Sequence, residues 1–478
     1  MSRHDLPASP PSAQGVDAHG IHAFLDTLEA APDIEPHSLM ILRHGHVVAA
    51  GWWYPYTPDR LHLLYSLSKS FTSTAAGIAI GEGLVRLDDP VISYFPEFEA
   101  DITDPRSRAM LVRHVASMAS GHMEETLHRA IAVDPDEIVR GFLLIPPDRE
   151  PGTVFAYNQP ATYTLATIVQ KVTGQTLTNY LRPRLFDPLG IGEVAWQQYP
   201  PGRDMGFSGL HATTDAVARL GQLYLQDGVW QGKRLLPDGW VAEATRPHIA
   251  NAEQSENPDW QQGYGFQFWM ARHGYRGDGA YGQFCVVLPE HDAVIAMTSA
   301  TVAMQSVLDA MWEHLLPAFG DTPLAGREKA DGELAERMSA LVLPPAPGEP
   351  APLTEPEAWS GAEFTPDGGT CADQPGLTRV AVGCDDDGWS LSLIEDTDRL
   401  DLRVGGRTEW TVDPTASVPT AVTGGWTDPD TLAVEIVFLE TPHRLVVRCS
   451  LARRTFEARW KTAPLRAETL SSLRAPRA

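Results

Sequence analysis

The sequence predicts an α+β domain followed by a C-terminal antiparallel β-barrel. Three observations lead to this fold class. β-rich segments stand at both ends of the first 328 residues, with helical signals between them. A proline-rich stretch, LVLPPAPGEPAPLTEPEAW, begins at Leu341. Beyond it lie seven short segments, many alternating polar and apolar residues, spaced roughly 8 to 12 residues apart as in sandwiches and barrels.

The predicted domain boundaries follow these changes in composition. Residues 1–18 are rich in Pro, Ser and Ala and are expected to form a disordered tail. Residues 19–328 make up the α+β domain, and residues 329–358 are a helix and a proline-rich linker. The barrel is expected over residues 359–463, and a second tail over residues 464–478.

Within the first domain, the elements follow one another in a clear order. A helix is predicted over 17–31, and HSLMILRHGHVVAAGWWYPY is typical of two strands joined at His44-Gly45. The run YSLSKSFTSTAAGIAIG predicts a helix of about 15 residues with Ser66 in its first turn. Mostly helical signals then cover 88–246. Two β-rich segments and a final helix over 304–316 follow, so the sheet is expected to join distant parts of the chain.

Charge and composition exclude several classes of function. The chain has 37 Lys plus Arg against 62 Asp plus Glu, a net charge of −25, which disfavours nucleic acid and anionic membranes as partners. No run approaches the roughly 18 apolar residues of a membrane span. The N-terminus, MSRHDLPASPPSAQG, lacks the apolar centre of a secretory signal, so a cytoplasmic location is expected. The four cysteines are scattered without a CxxC pair and are interpreted as reduced and structural.

The tetrapeptide SLSK, Ser66 to Lys69, carries the strongest chemical signal. Only five of the 37 basic residues are lysine, so this lysine stands out. Residues three apart lie on one face of a helix, so the two side chains can touch. A lysine in a poorly solvated pocket has a lowered pKa and can accept the serine proton, whereas arginine cannot be deprotonated. Most such motifs are ordinary surface turns, and the apolar, small-residue helix around this one favours burial instead.

The segment YSLSKSFTSTAAGIAIGEGLVRLDDPVISYFPEF resembles the nucleophile segment of the serine β-lactamase and penicillin-binding protein superfamily, on its class C side. Three later segments continue the resemblance over about residues 35–318: VRHVASMASGH, PGTVFAYNQPATYTLATIVQKVTGQTLTNYLRPRLFDPLGI and FSGLHATTDAVARLGQLYLQDGVWQGKRLL. The resemblance implies a β-lactamase-like antiparallel sheet with a helical cluster. The C-terminal barrel resembles the lipocalin-like modules appended to D-aminopeptidases and penicillin-binding-protein-type thioesterases.

Carried over from the family, Ser66 would be the nucleophile and Lys69 its base. Tyr157 matches the tyrosine of the second motif, Tyr-x-Asn, which shares protons with the lysine and protonates the leaving group. An unperturbed tyrosine has a pKa near 10, so it needs cationic neighbours such as Lys69 to act as a base. Here the motif reads Tyr157-Asn158-Gln159, so Gln159 fills the asparagine position and Asn158 competes with it for the polar role.

The third motif of the family, Lys/His-Thr/Ser-Gly, is replaced here by Gly277-Asp278-Gly279. A carboxylate at this place puts β-lactam recognition in doubt, because the usual cation helps to hold the substrate carboxylate. We hypothesise that Asp278 receives a substrate N–H or ammonium group; the alternative is a turn aspartate between two strands. The oxyanion hole is expected from the Ser66 backbone N–H and an N–H of this strand near Gln283.

These residues predict a serine hydrolase that acts on an amide or peptide bond of a small substrate, possibly one with D-amino acids, through an acyl-enzyme. A carboxylesterase and a penicillin-binding-protein-type peptide thioesterase or cyclase are the enzymatic alternatives, since they use the same acyl-enzyme. An inactive binding protein is the alternative outside enzymes. The expected partner is a small molecule or short peptide, without a metal or another cofactor. The sequence leaves the oligomeric state open.

Overall fold

The structure is a computed structural model that describes residues 6–386, 388–396, 398–405, 408–413 and 416–477. The chain divides into two compact units. The first contains the described residues of Met1–Gly51, Leu64–Ser339 and Pro476–Ala478, and the second contains those of Trp52–Leu63 and Ala340–Ala475. In the described part of the chain, no helix combines the length and the hydropathy needed to cross a membrane.

The strands, in chain order, are β1 (Ile34–Arg43), β2 (His46–Trp52), β3 (His62–Leu63), β4 (Ala195–Trp196), β5 (Leu210–Ala212), β6 (Val229–Trp230), β7 (Lys233–Arg234), β8 (Trp269–Met270), β9 (Tyr275–Gly279), β10 (Gln283–Leu288), β11 (Ala293–Thr301), β12 (Glu363–Pro366), β13 (Leu377–Asp385), β14 (Gly388–Glu395), β15 (Asp398–Val404), β16 (Thr411–Val412), β17 (Thr420–Asp428), β18 (Thr431–Phe438), β19 (Arg444–Ser450) and β20 (Thr455–Thr462).

The α-helices are α1 (Ala18–Ala30), α2 (Ser68–Gly81), α3 (Pro105–Ala109), α4 (Val112–Ala116), α5 (Leu127–Val133), α6 (Ile138–Leu144), α7 (Gln159–Thr173), α8 (Leu177–Leu181), α9 (Asp187–Leu189), α10 (Thr214–Leu225), α11 (Trp240–Ala244), α12 (Met304–Ala310), α13 (Glu328–Ser339) and α14 (Pro356–Trp359). A 3₁₀ turn, Tyr65–Leu67, leads directly into α2.

The main sheet of the first unit joins the two ends of that unit. Its strand order is β2-β1-β11-β10-β9-β8, and β1 pairs antiparallel with β11, from Ile34 opposite Thr301 to Arg43 opposite Ala293. The strands β9 and β10 form an antiparallel hairpin at the other side of the sheet. The prediction of one α+β sheet assembled from distant segments is therefore confirmed.

The helices of the first unit pack on this sheet and around α7. Helix α10 contacts β1, β10 and β11, while α7 contacts α2, α4 and α6. All residues of α7 from Pro160 to Gln170 are buried. The start of this helix is thus held firmly beside α2, which is the arrangement that the candidate site uses.

The second unit is a nearly closed, barrel-like sheet of nine strands in the order β15-β14-β13-β12-β20-β19-β18-β17-β16. Large apolar side chains fill its interior, with Trp359 and Trp426 packed edge to face at 5.6 Å between ring centroids. The predicted antiparallel barrel is confirmed with one difference. The pair β12–β20 is parallel, with Thr365 opposite Thr455, because the first and last strands of the barrel meet there.

The structure divides the chain differently from the predicted boundaries at its start. Residues 6–18, expected to be disordered, are ordered: Ser9 N donates to Val47 O of β2 at 3.0 Å, Val47 N donates to Pro7 O at 2.8 Å, and Asp17 N donates to Ala318 O at 2.9 Å. Residues 1–5 of that expected tail lie outside the described residues.

Two further boundaries differ inside the second unit. Residues 52–63 belong to the barrel unit, because Tyr54 N donates to Leu341 O at 3.0 Å and Leu63 N donates to Glu440 O at 2.8 Å. The expected tail from residue 464 also contributes to this unit through residue 475, with Leu470 buried in the barrel core. These partners are hundreds of residues apart in sequence, so local composition did not reveal them.

Candidate active site

The candidate nucleophile lies at a sharp change in backbone direction. Ser66 lies in the 3₁₀ turn that precedes α2, whereas the sequence predicted it in the first turn of the α-helix itself. Tyr65, immediately before it, has φ = +48°, a left-handed conformation that is strained for a bulky residue. The serine is half-buried and therefore accessible.

Lys69 is buried, with 1% of its surface exposed, and its ammonium nitrogen has three oxygen neighbours. Nζ lies 2.9 Å from Ser66 Oγ, 2.7 Å from Gln159 Oε1 and 2.7 Å from the backbone oxygen of Phe207. The amide and carbonyl oxygens can only accept, whereas a hydroxyl can also donate. A neutral Lys69 would therefore give its two N–H bonds to those two oxygens and turn its lone pair to the Ser66 hydroxyl.

The two amides of the second motif have different contacts. Gln159, the first residue of α7, contacts Lys69 through its side-chain oxygen. Asn158 is fully buried and accepts instead from Thr126, at 2.9 Å from its N and 3.0 Å from its Oγ1. The extra methylene of glutamine thus spans the distance to the lysine, and Asn158 holds the neighbouring loop.

Tyr157 stands between the nucleophile and the third motif. Its ring centroid is 4.7 Å from Lys69 Nζ. Its ring stacks on Trp269 at 5.1 Å between centroids. Burial raises the pKa of Tyr157 well above its ordinary value, the charge of Asp278 raises it further, and the polar side chains of Ser66 and Trp269 and the charge of Arg276 oppose this only in part.

Asp278 already has a charged partner. Its Oδ2 accepts from Arg276 Nε at 3.0 Å, and the two side chains are 7% and 0% exposed. Burial raises the pKa of the Asp278 carboxyl, while Arg276 and Lys69 oppose that rise. This pairing argues against the hypothesis that Asp278 receives a substrate ammonium group, because Arg276 already compensates its charge.

The two remaining third-motif residues have different places. Gly279 ends β9 against the nucleophile turn, and a Cβ there would lie 2.1 Å from the backbone oxygen of Leu64. Gln283 is fully buried, and its side chain donates to Ala280 O at 3.0 Å and Ser299 O at 2.8 Å. Gln283 therefore fastens the hairpin turn, and its side chain is committed to the fold rather than to a substrate.

The structure thus brings Ser66, Lys69, Tyr157 and Gln159 together with Asp278, and their chemical roles stay predictions. Sequence reasoning missed three participants: Phe207, Trp269 and Arg276. Only Arg276 carried a usable signal, since it lies two residues before Asp278 on one strand and so shares its face. Within the described residues, no group of three or more His, Cys, Asp or Glu side chains could hold a metal ion.

Comparison with known proteins agrees with this geometry. A family model described as Beta-lactamase matches residues 24–318. The chain is 27% identical over 301 residues to the 6-aminohexanoate-dimer hydrolase of Paenarthrobacter ureafaciens, covering 56% of this chain and 75% of that relative. It is 26% identical over 353 residues to penicillin-binding protein 4 of Amycolatopsis lactamdurans, covering 64% of this chain and 85% of the relative.

Among solved structures, the octameric penicillin-binding protein homologue from Pyrococcus abyssi aligns with a TM-score of 0.50. The alignment covers 91% of this chain and 98% of the other at 16% sequence identity. At that identity the likeness shows the fold alone.

Proposed function

The chain belongs to the beta-lactamase family of serine hydrolases, and we propose that it cleaves an amide or peptide bond of a small substrate through an acyl-enzyme on Ser66. The observation that carries this proposal is the contact of Ser66 Oγ with the buried Lys69 Nζ at 2.9 Å. Gln159 Oε1 and the Phe207 backbone oxygen each lie 2.7 Å from the same nitrogen, so a neutral lysine that donates to both can turn its lone pair to Ser66.

The reaction begins with the transfer of the Ser66 proton to Lys69. The Ser66 oxygen then bonds to the substrate carbonyl carbon, and the Ser66 backbone N–H, with an N–H at the end of β9, would bind the resulting oxyanion. As the bond from carbon to the leaving amine breaks, Tyr157 gives its proton to that nitrogen. Lys69 returns the serine proton to Tyr157, and water releases the acyl group by the reverse sequence.

An amide is preferred over an ester because of the requirement for an acid. An amine leaves an amide only after its nitrogen is protonated, and the Tyr157 ring lies next to Lys69 Nζ, which contacts the serine that will carry the acyl group. The related 6-aminohexanoate-dimer hydrolase is named for a dimer of an amino acid, which is itself an amide. Both observations support the amidase over the esterase.

A fluorophosphonate probe tests the nucleophile directly. We expect the probe to label the wild-type chain on Ser66 and to leave Ser66→Ala unlabelled. Absence of labelling in the folded wild type would contradict the proposal and favour a binding protein.

A substrate panel then tests the bond that is cleaved. It should hold L- and D-aminoacyl p-nitroanilides, p-nitrophenyl esters, the linear 6-aminohexanoate dimer, a peptidyl thioester and nitrocefin. Turnover of the amides without nitrocefin supports the proposal. Turnover of esters alone would replace the amidase with an esterase, and thioester turnover with an amine acceptor would replace it with a cyclase.

A further inference from the structure

Five aromatic rings form a cluster that includes Tyr157. Trp269 is at its centre: its ring stacks on Tyr157 at 5.1 Å between centroids and meets Tyr264 at 4.8 Å, Phe155 at 5.7 Å and Trp260 at 6.4 Å. The last three contacts are edge to face, an arrangement in which aromatic rings attract one another. The cluster therefore extends from Tyr157 to Trp260 through two direct ring contacts.

Only part of this cluster is open to solvent. Phe155, Tyr264 and Trp269 are 4%, 1% and 8% exposed, whereas Tyr157 and Trp260 are partly exposed. An apolar ring that stays in water costs free energy, and burying it under a ligand recovers that free energy. Trp260 is thus an apolar surface near the candidate site that the described part of the chain leaves partly uncovered.

Arg276 fixes the Trp260 ring from one side. The guanidinium lies 4.3 Å from the ring centroid, and Arg276 is fully buried. Its Nε donates to Asp278 Oδ2 at 3.0 Å, and its Nη1 donates to the backbone oxygen of Asp259 at 2.9 Å. The cation cannot move from the ring without losing these partners, so a ligand would meet the other face or the edge of Trp260.

The turn that carries Trp260 is fixed as well. Asp259, immediately before it, is fully buried, and its carboxylate accepts from Arg272 Nη2 at 2.7 Å, Gln305 Nε2 at 2.6 Å and Trp312 Nε1 at 3.0 Å. A buried carboxylate is costly unless it is bonded in this way, so these three partners hold the turn in one position. A fixed ring binds a ligand without the entropy cost of ordering a mobile one.

The proposed reaction places a particular part of the substrate near these rings. Tyr157 gives its proton to the leaving amine, so that amine lies next to the Tyr157 phenol when the carbon–nitrogen bond breaks. From Tyr157 the ring contacts continue through Trp269 to Trp260. A substituent on the leaving amine is therefore the substrate group that can reach Trp260.

We propose that Trp260 determines the specificity for the leaving amine by packing against a large, uncharged apolar substituent such as a benzyl group. This inference rests on the proposed function, because that function places the leaving amine beside Tyr157. Asp278 already compensates the charge of Arg276, so this part of the site presents a ring rather than a free cation. Amides of small amines lack the group that Trp260 would cover, and they bind more weakly.

The first test measures binding in the Ser66→Ala background, in which no acyl-enzyme can form on Ser66. N-benzylacetamide and N-methylacetamide share the amide and differ only in the phenyl ring. We expect N-benzylacetamide to bind at least about tenfold more tightly in an NMR titration, because its ring leaves water. Trp260→Ala in this background should reduce the difference to less than about threefold. Equal binding of the two amides, or a difference that survives Trp260→Ala, would overturn the proposal.

Three further variants make this test specific to the ring. Trp260→Phe should retain most of the difference, whereas Trp260→Gln should lose it and serves where the alanine variant does not fold. Trp389→Ala is the matched control: Trp389 is likewise partly exposed and meets the Trp426 ring edge to face at 5.0 Å, but it belongs to β14 of the barrel. It should leave the difference unchanged. A loss in Trp389→Ala as large as in Trp260→Ala would overturn the role of Trp260.

The second test asks whether the bound amide lies at the nucleophile. In the chain with Ser66 intact, N-benzylacetamide should slow fluorophosphonate labelling at concentrations near its dissociation constant, and N-methylacetamide at the same concentrations should not. Trp260→Ala should lose this protection. Labelling that proceeds at the same rate with and without N-benzylacetamide would show that the amide binds elsewhere, and the proposal would be wrong.

The two proposals fail separately. A wild type that the probe never labels would contradict the proposed function, and the binding test would still decide whether Trp260 holds an apolar substituent. A labelled wild type, with equal binding of the two amides to Ser66→Ala, would leave the serine hydrolase standing and remove the role of Trp260.

Discussion

The site has two buried cations: Lys69 contacts the Tyr157 ring, and Arg276 is hydrogen-bonded to Asp278. The chain holds these two cations in different ways. Lys69 donates to three uncharged oxygens, whereas Arg276 is bonded to a carboxylate and two backbone carbonyls. Lysine can release a proton and arginine cannot. In the proposed mechanism, the site therefore has one cation that transfers protons and another that only compensates a charge.

The largest effect is expected from exchanging the first cation. Lys69→Arg keeps the positive charge but cannot accept the Ser66 proton, so labelling of Ser66 should fall by about 10²–10⁴-fold. Circular dichroism and thermal unfolding would establish that the variant is folded. A folded variant that is labelled at the wild-type rate would show that Lys69 supplies only charge. The proposed difference in role between Lys69 and Arg276 would then be wrong.

The reciprocal exchange should affect stability more than activity. Arg276→Lys keeps the charge next to Asp278 but loses the fork that reaches Asp259 and Met270, at a cost of about 2 kcal/mol in the free energy of unfolding. The labelling rate of the folded protein should stay within about threefold of the wild type, because the charge is kept. A loss of labelling as large as that of Lys69→Arg would give Arg276 a direct part in the chemistry.

Sequence reasoning found the part of the site that is local. Ser66 and Lys69 are three residues apart, and Tyr157 and Gln159 share one motif, so spacing and resemblance were sufficient. The barrel strands were likewise predicted from a local pattern, the alternation of polar and apolar residues. The main sheet was predicted from the β-rich segments at the two ends of the first domain.

The missed parts depend on long-range contacts. Phe207 contributes a backbone oxygen, which its side-chain identity does not reveal, and Trp269 acts through its contact with a residue 112 positions earlier. The side-chain contacts of Gln283 were missed for the same reason, since its partners come from the hairpin turn and from β11. A single sequence shows no covarying positions, so it carries no signal for such long-range contacts.

A smaller effect should follow from shortening the amide that steers Lys69. Gln159→Asn moves the acceptor back by one methylene from a nitrogen that now lies 2.7 Å away, so the labelling rate should fall about tenfold. Asn158→Ala removes the acceptor for Thr126 and should instead cost about 1–2 kcal/mol of stability. The reverse pattern, with Asn158 controlling the rate, would make Asn158 the motif asparagine.

The smallest effect concerns Tyr65, the strained residue immediately before Ser66. Tyr65 has φ = +48°, and its ring contacts the Tyr281 ring edge to face at 5.7 Å between centroids. Both Tyr65→Ala and Tyr65→Gly lose that ring contact, but only glycine relieves the backbone strain, so the glycine variant should be about 1 kcal/mol more stable to urea than the alanine variant. Elsewhere in folded chains glycine is usually the less stable of the two, because it loses more backbone entropy. An alanine variant equal to or more stable than the glycine variant would show that the backbone of Tyr65 is unstrained.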